Sequence, residues 1–108
     1  MTTDEATIEV EFVRKGKTAP RLTPTDIDAQ IAGEEYHVFG GVLTVCVLTL
    51  NNGFMVTGES ACASPENFDQ GIGQSISRKN AREKIWAFEG YALRNALSGR
   101  APFNEALR

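Results

Sequence analysis

Few side chains in this sequence are placed for covalent or acid–base chemistry. His37 is the only histidine, and no nucleophile elbow or other triad context surrounds Cys46, Cys62 or any serine it could activate. Cys46, Cys62 and His37 also lack the close paired spacing that puts two metal ligands on one turn, so neither zinc nor another cofactor is expected. Cys46 falls in a run that reads as buried strand, where a cysteine serves as a small apolar filler. Cys62, near a helix start, also reads better as filling than as a reactive thiol. Gly71-Ile72-Gly73 has no third glycine and follows no strand directly, so it is not a dinucleotide fingerprint. A protein without turnover is expected.

What the chain does hold is material for gripping a small anion. Arg78, Lys79, Arg82, Arg94 and Arg100 supply cations, Phe68, Trp86 and Tyr91 supply flat rings, and Asn80 is able to read an amide-like base edge. Each has a plainer explanation: Phe68 and Trp86 fit a core, and the basic set fits a solvated helix face. The loop Gly58-Glu59-Ser60-Ala61-Cys62-Ala63-Ser64-Pro65 offers small residues before a helix start, a place where backbone N–H groups meet phosphates. In the plainer version Ser64 only caps its helix while Glu59 and Ser60 finish a strand.

Bulk composition narrows the classes. With 108 residues, 42% of them apolar and 23% charged, there is room for a single domain over 1–108 with flexible ends at 1–6 and 99–108, and a two-domain enzyme is excluded. No apolar run approaches the ~18 residues of a membrane span, and the opening Met-Thr-Thr-Asp-Glu is no signal peptide, so a soluble protein of a reducing cytoplasm is expected. A pI near 5.1 argues against binding DNA or RNA. The charge is split, however. Residues 1–70 carry eleven acidic against four basic side chains, a net −7, and residues 71–108 carry seven basic against three acidic, a net +4. That asymmetry suits an anion-binding surface or an oligomer whose acidic part meets a neighbour's basic part.

The elements that must position these groups are partly legible. Ile8, Val10 and Phe12 alternate as in a strand, yet Ile8 and Phe12 also fit a short helix stopped by Gly16, and the segment stays open between the two. Thr23-Pro24 with Asp26 predicts a helix from Pro24 to about Ala32, ending at Gly33. Val42 to Leu50, the turn Asn51-Asn52-Gly53 and the strand from Phe54 predict a β-hairpin. Its first strand is apolar on both faces, which calls for cover on both sides and hence for oligomerisation. Ser64-Pro65-Glu66 opens a segment running to Leu97, with a kink allowed at its glycines. On it Phe68, Ile72, Ile76, Trp86, Leu93 and Leu97 form one apolar stripe, and Ile85, Phe88 and Ala92 lie nearly opposite. Lys79 and Glu83 interrupt the stripe at a spacing that allows them to pair. The fold class is α+β: β-hairpins packed on a long C-terminal helix, completed by oligomerisation.

The stretch NGFMVTGESACASPENFDQGIGQSISRKNAREKIWAFEGYALR, Asn52 to Arg94, together with TAPRLTPTDIDAQI, Thr18 to Ile31, resembles a family of small phage and prophage proteins known as gp-forty-nine-like. More loosely it is similar to anti-defence sponge proteins of the Tad-one type, which bind cyclic ADP-ribose isomers and cyclic di- and trinucleotides. That likeness implies a dimer or dimer-built hexamer in the host cytoplasm, holding a small cyclic nucleotide ligand at subunit boundaries without turnover. By position it implies ligand contacts at Arg21, Phe68, Asn80 and Arg94, with Arg78 and Arg82 behind them. The alternative is a protein-interaction adaptor that binds and modulates a host protein through the second apolar face of the long helix.

Overall fold

The computed structural model describes residues 4–100. The first element is helix α1, Glu5–Arg14: the Asp4 carboxylate accepts from the Thr7 amide at 2.8 Å, and the chain leaves through Gly16 at φ 65°. The cap and the stop settle in favour of helix a segment whose apolar spacing fits either form. Helix α2, Pro24–Ala29, opens with a reciprocal box: Asp26 N–H donates to Thr23 Oγ1 at 3.3 Å, and Thr23 N–H to the Asp26 carboxylate at 2.9 Å.

Helix α2 stops three residues short of the expected Ala32, because strand β1, Ile31–Phe39, begins there. This strand has no counterpart in the sequence reading; Gly33-Glu34-Glu35 has poor strand propensity and is carried by pairing. Gly40 and Gly41 both take positive φ, 61° and 68°, as a tight primed hairpin turn requires, and deliver the chain into β2, Leu43–Leu50. Strand β3, Met55–Ala61, follows the expected Asn51-Asn52-Gly53 turn. The sheet is an antiparallel meander, β1-β2-β3, with Cys46 opposite both Tyr36 and Gly58.

Ser64 does not cap the long helix. It precedes a single 3-10 turn, Pro65–Asn67, and its side chain makes no capping bond. The cap of helix α3, Gln70–Ser98, is Asp69, which accepts from Ile72 N–H at 2.8 Å. The helix runs unbroken for 29 residues through its glycines and ends at left-handed Gly99. The expected fraying tail falls mostly on 101–108, outside the described residues, as do residues 1–3 of the expected flexible start.

Helix α3 lies across one face of β2 and β3. The fully buried apolar set is Ile27, Cys46, Leu48, Ala81 and Ile85, joined by nearly buried Leu50 and Val56, with Ser77 and Thr44 as buried hydroxyls beside them. The side of α3 that meets the sheet is Gly73, Ser77, Ala81 and Ile85, four residues apart each time. Small residues there let the backbones come very close. A Cβ on Gly58 would lie 2.2 Å from Ser77 O and Ala81 N, and one on Gly73 would lie 2.5 Å from Thr44 Oγ1.

This packing assigns the faces that the sequence left open. The Ile72 and Ile76 stripe faces outward, 61% and 45% exposed. Strand β2 alternates between buried and half-buried positions, so the described residues pack a helix on one face, and among them no helix is packed over Leu43, Val45 and Val47. The α+β class with hairpins on a long helix stands. The layer is thin and extended: the radius of gyration is 17.3 Å, where about 13 Å is typical of a 100-residue domain, and the extents are 52 × 45 × 20 Å.

Candidate functional site

The arginines singled out in the sequence are drawn into ion pairs within the chain. Arg82, its side chain only 13% exposed, donates from Nε to Asp28 at 2.7 Å and from Nη2 to Pro24 O at 3.3 Å, and its Nη1 meets the Glu5 carboxylate. Trp86 Nε1 donates to the same Glu5 carboxylate at 3.0 Å. One guanidinium thus ties α1, α2 and α3 together. The Arg82 hydrogen bond, helped by Trp86, holds the Glu5 carboxyl below its ordinary range against the opposing effect of burial.

Arg78 donates to Glu34 on β1 at 3.2 Å, and the Tyr36 hydroxyl donates to the other Glu34 oxygen at 2.6 Å. That hydroxyl bond and Arg78 lower the Glu34 carboxyl, while burial raises the Tyr36 phenol. Arg21 donates to Glu9 at 2.7 Å and stacks over the Phe12 ring with 4.2 Å to the centroid. Asn80 donates to Glu59 O at 2.9 Å, tying α3 to β3 rather than facing open solvent with its amide free.

Arg94 makes no ion pair among the described residues and is exposed. At about 1.5 Å of rise per residue it stands about 24 Å along α3 from Arg78. Phe68 sits at the opposite end, half-buried, lining a cavity of ≈ 110 Å³ with Thr44, Cys62, Ile72, Gly73 and Ile76. Thr44 Oγ1 in that cavity is buried and has no hydrogen-bond partner among the described residues. A single chain therefore does not bring Phe68, Asn80 and Arg94 around one nucleotide-sized volume.

The remaining candidates follow their plainer readings. Glu59 and Ser60 complete β3, Cys46 is buried with its thiol pushed up by that burial, and Lys79 and Glu83 form no ion pair among the described residues. Exposed His37 lies 3.7 Å from Glu35. Among the described residues no group of three His, Cys, Asp or Glu side chains is placed to hold a metal ion, and no helix is long and apolar enough to cross a membrane.

A larger cavity escaped the sequence reading. Between α1, the strap before α2 and the far half of α3 lies a cleft of ≈ 550 Å³ walled chiefly by Ile8, Phe12, Leu22, Trp86, Gly90 and Leu93. It requires α1 to be a helix, which apolar spacing alone left undecided. The faint signal was Trp86 and Leu93 on a stripe away from Ile85.

The model of the Phage protein (N4 Gp49/phage Sf6 gene 66) family matches residues 22–97. The chain belongs to this family. It is a phage protein, and the matched span of this N4 Gp49/Sf6 gene 66 relative runs from just before α2 to the end of α3, so that α1 and Arg21 lie outside it. Neither the curated proteins nor the solved structures provide a match.

Proposed function

We propose that this phage protein is a sponge: it sequesters a cyclic nucleotide immune signal, a cyclic ADP-ribose isomer or cyclic oligonucleotide, in the host cytoplasm without turning it over. The observation that carries the reading is the unfinished foot of α3. There a flat ring, Phe68, borders a small cavity with an unpartnered buried hydroxyl, Thr44 Oγ1, beside the outward Ile72 and Ile76. The cavity is too small for a nucleotide, so the rest of the walls and the cations come from a second copy, for which free Arg94 is the available guanidinium. A homo-oligomer, a dimer or dimer-built hexamer, is thus part of the proposal. Sequestration works by mass action and asks for tight binding, not for a general base or a metal.

The test is thermal shift and calorimetry with cyclic ADP-ribose isomers and cyclic di- and trinucleotides, beside sedimentation of the free protein. At about 100 times the dissociation constant a true ligand stabilises by about 2.7 kcal/mol. The ligand must be recovered unaltered after denaturation, and Phe68→Ala and Arg94→Ala must each weaken binding. A monomer that no cyclic nucleotide stabilises sinks the proposal.

The second reading, a protein-interaction adaptor, draws on different observations: Arg21, Arg78 and Arg82 are already neutralised by Glu9, Glu34, Glu5 and Asp28, and the bare sheet face offers Leu43, Val45 and Val47. Substituting Val45 and Val47 by Thr separates the two. It abolishes binding of a host protein if the adaptor reading holds and leaves nucleotide affinity unchanged if the sponge does.

A further inference from the structure

Helix α1 buries none of its ten residues. A helix of that length is marginal alone in water and ordinarily owes its stability to packing. Here it is held at arm's length by the Glu5 to Arg82 and Trp86 bonds and by the Glu9 to Arg21 pair, with Ile8 41% exposed above the cleft. Its apolar side faces space, and the opposite wall of that space is also apolar.

Gly90 points to an occupant. The other glycines that meet α3 or lie in it each have a near neighbour where a Cβ would go: Gly58 meets Ser77 and Ala81, Gly73 meets Thr44, and Gly71, in the first turn, meets the capping Asp69 carboxylate at 3.3 Å. A Cβ on Gly90 would meet nothing within 4 Å, yet glycine in a helix interior costs about 1 kcal/mol relative to alanine. The chain's own packing gives no reason for it, and its position on the cleft wall keeps that volume open.

The charge around the cleft fixes the ligand's sign. Glu5, Glu9 and Glu83 line it against the single cation Arg21. Glu5 and Glu9 are engaged by Arg82 and Arg21, whereas Glu83 makes no ion pair among the described residues. A phosphate would be repelled there; a cation would not. The volume lies within the ordinary range for small-molecule sites, and the ring of Phe12 and the indole of Trp86 suit a flat or apolar body.

We propose that the α1–α3 cleft is a binding site for a compact apolar or aromatic molecule carrying one cationic nitrogen, its body seated between Ile8, Phe12, Trp86 and Leu93 and its charge on Glu83. The site is separate from the foot of α3 and does not depend on the nucleotide reading. Filling it completes the packing that α1 lacks, so binding orders α1.

Trp86 is the sole tryptophan and reports on its own cleft. Its fluorescence is titrated with 4-phenylbutylamine, and with 4-phenylbutanol and 4-phenylbutyrate as neutral and anionic counterparts. Saturable quenching is expected, with the amine binding about fivefold more tightly than the alcohol and the butyrate weakest. Glu83→Gln brings amine and alcohol together. Gly90→Leu, which fills the cleft while improving helix propensity, abolishes binding, and Gly90→Ala retains it. Slower hydrogen exchange of the α1 amides accompanies amine binding. Butyrate binding as well as the amine, or unchanged binding in a folded Gly90→Leu protein, overturns the proposal.

Discussion

From Gln70 to Ile85, helix α3 lies against the sheet through Gly73, Ser77 and Ala81, so closely that a single added carbon has no room. From Trp86 to Ser98 the same helix has no buried residue, and Gly90 has empty space where a side chain would go. The first half is joined to the protein by backbone approach and by the Arg78 and Arg82 ion pairs, the second by the Trp86 hydrogen bond to Glu5, the Phe54–Phe88 ring contact and the rim of a cleft. Small residues in a helix thus serve opposite ends: near the sheet they remove bulk so that two backbones meet, and beyond it they leave volume free. Only the second arrangement leaves, within a single chain, a volume of small-molecule size.

Substitutions test this contrast most strongly at the close approach. Gly58→Val forces its Cβ into the backbone of Ser77 and Ala81, which cannot rotate aside, and should destabilise by about 3 kcal/mol or more, seen as a lowered urea midpoint. Gly73→Ala meets a side chain instead, so the cost should be smaller, about 1–2 kcal/mol. The Gly73→Ala/Thr44→Ala pair should recover most of it, and a strictly additive double mutant would break the argument.

The ion pairs that tie α1 and α2 to the near half of α3 should respond to charge and pH. Arg82→Met removes the donor shared by Glu5 and Asp28 and should cost about 1–2 kcal/mol, with α1 amides losing protection first. Because the folded state lowers the Glu5 carboxyl, its contribution is fully present above the ordinary carboxylate range and is lost as pH falls below that range and through the lowered folded-state value. The stability difference between Arg82→Met and the parent should therefore shrink on acidification. The smallest effect has the opposite sign: Gly90→Ala should stabilise by about 0.5–1 kcal/mol, since nothing opposes the added carbon.

How much of this could be read in the sequence follows the range of the interactions. The N-terminal cap of α2, the Asn51-Asn52-Gly53 turn and the β2–β3 hairpin depend on neighbours along the chain and were legible. Strand β1 was not, because Gly33-Glu34-Glu35 becomes strand only by pairing with Val47 to Thr49. Ser64 before a proline reads as the start of the long helix, but it precedes only the 3-10 turn, and Asp69 caps α3. Apolar spacing found the Ile72 and Ile76 stripe and the Ile85 face on α3 but did not say which of them meets the sheet. The close-packed side is made of residues that periodicity counts as neutral, glycine, serine and alanine.

The candidate site divides in the same way. Arg78, Arg82 and Arg21 were recognisable as cations, but their acidic partners Glu34, Glu5 and Glu9 lie on separate elements, and only folding decides which charges are neutralised. By itself, the sequence determined the acidic front and basic back, the hairpin and the long helix, since residue types and short spacings suffice for these. Tertiary structure alone decided which side of α3 meets the sheet, that Thr44 is buried without a partner and that a cleft opens under α1. Each of these depends on distances between residues far apart in the chain, where a carbon's width separates contact from clash.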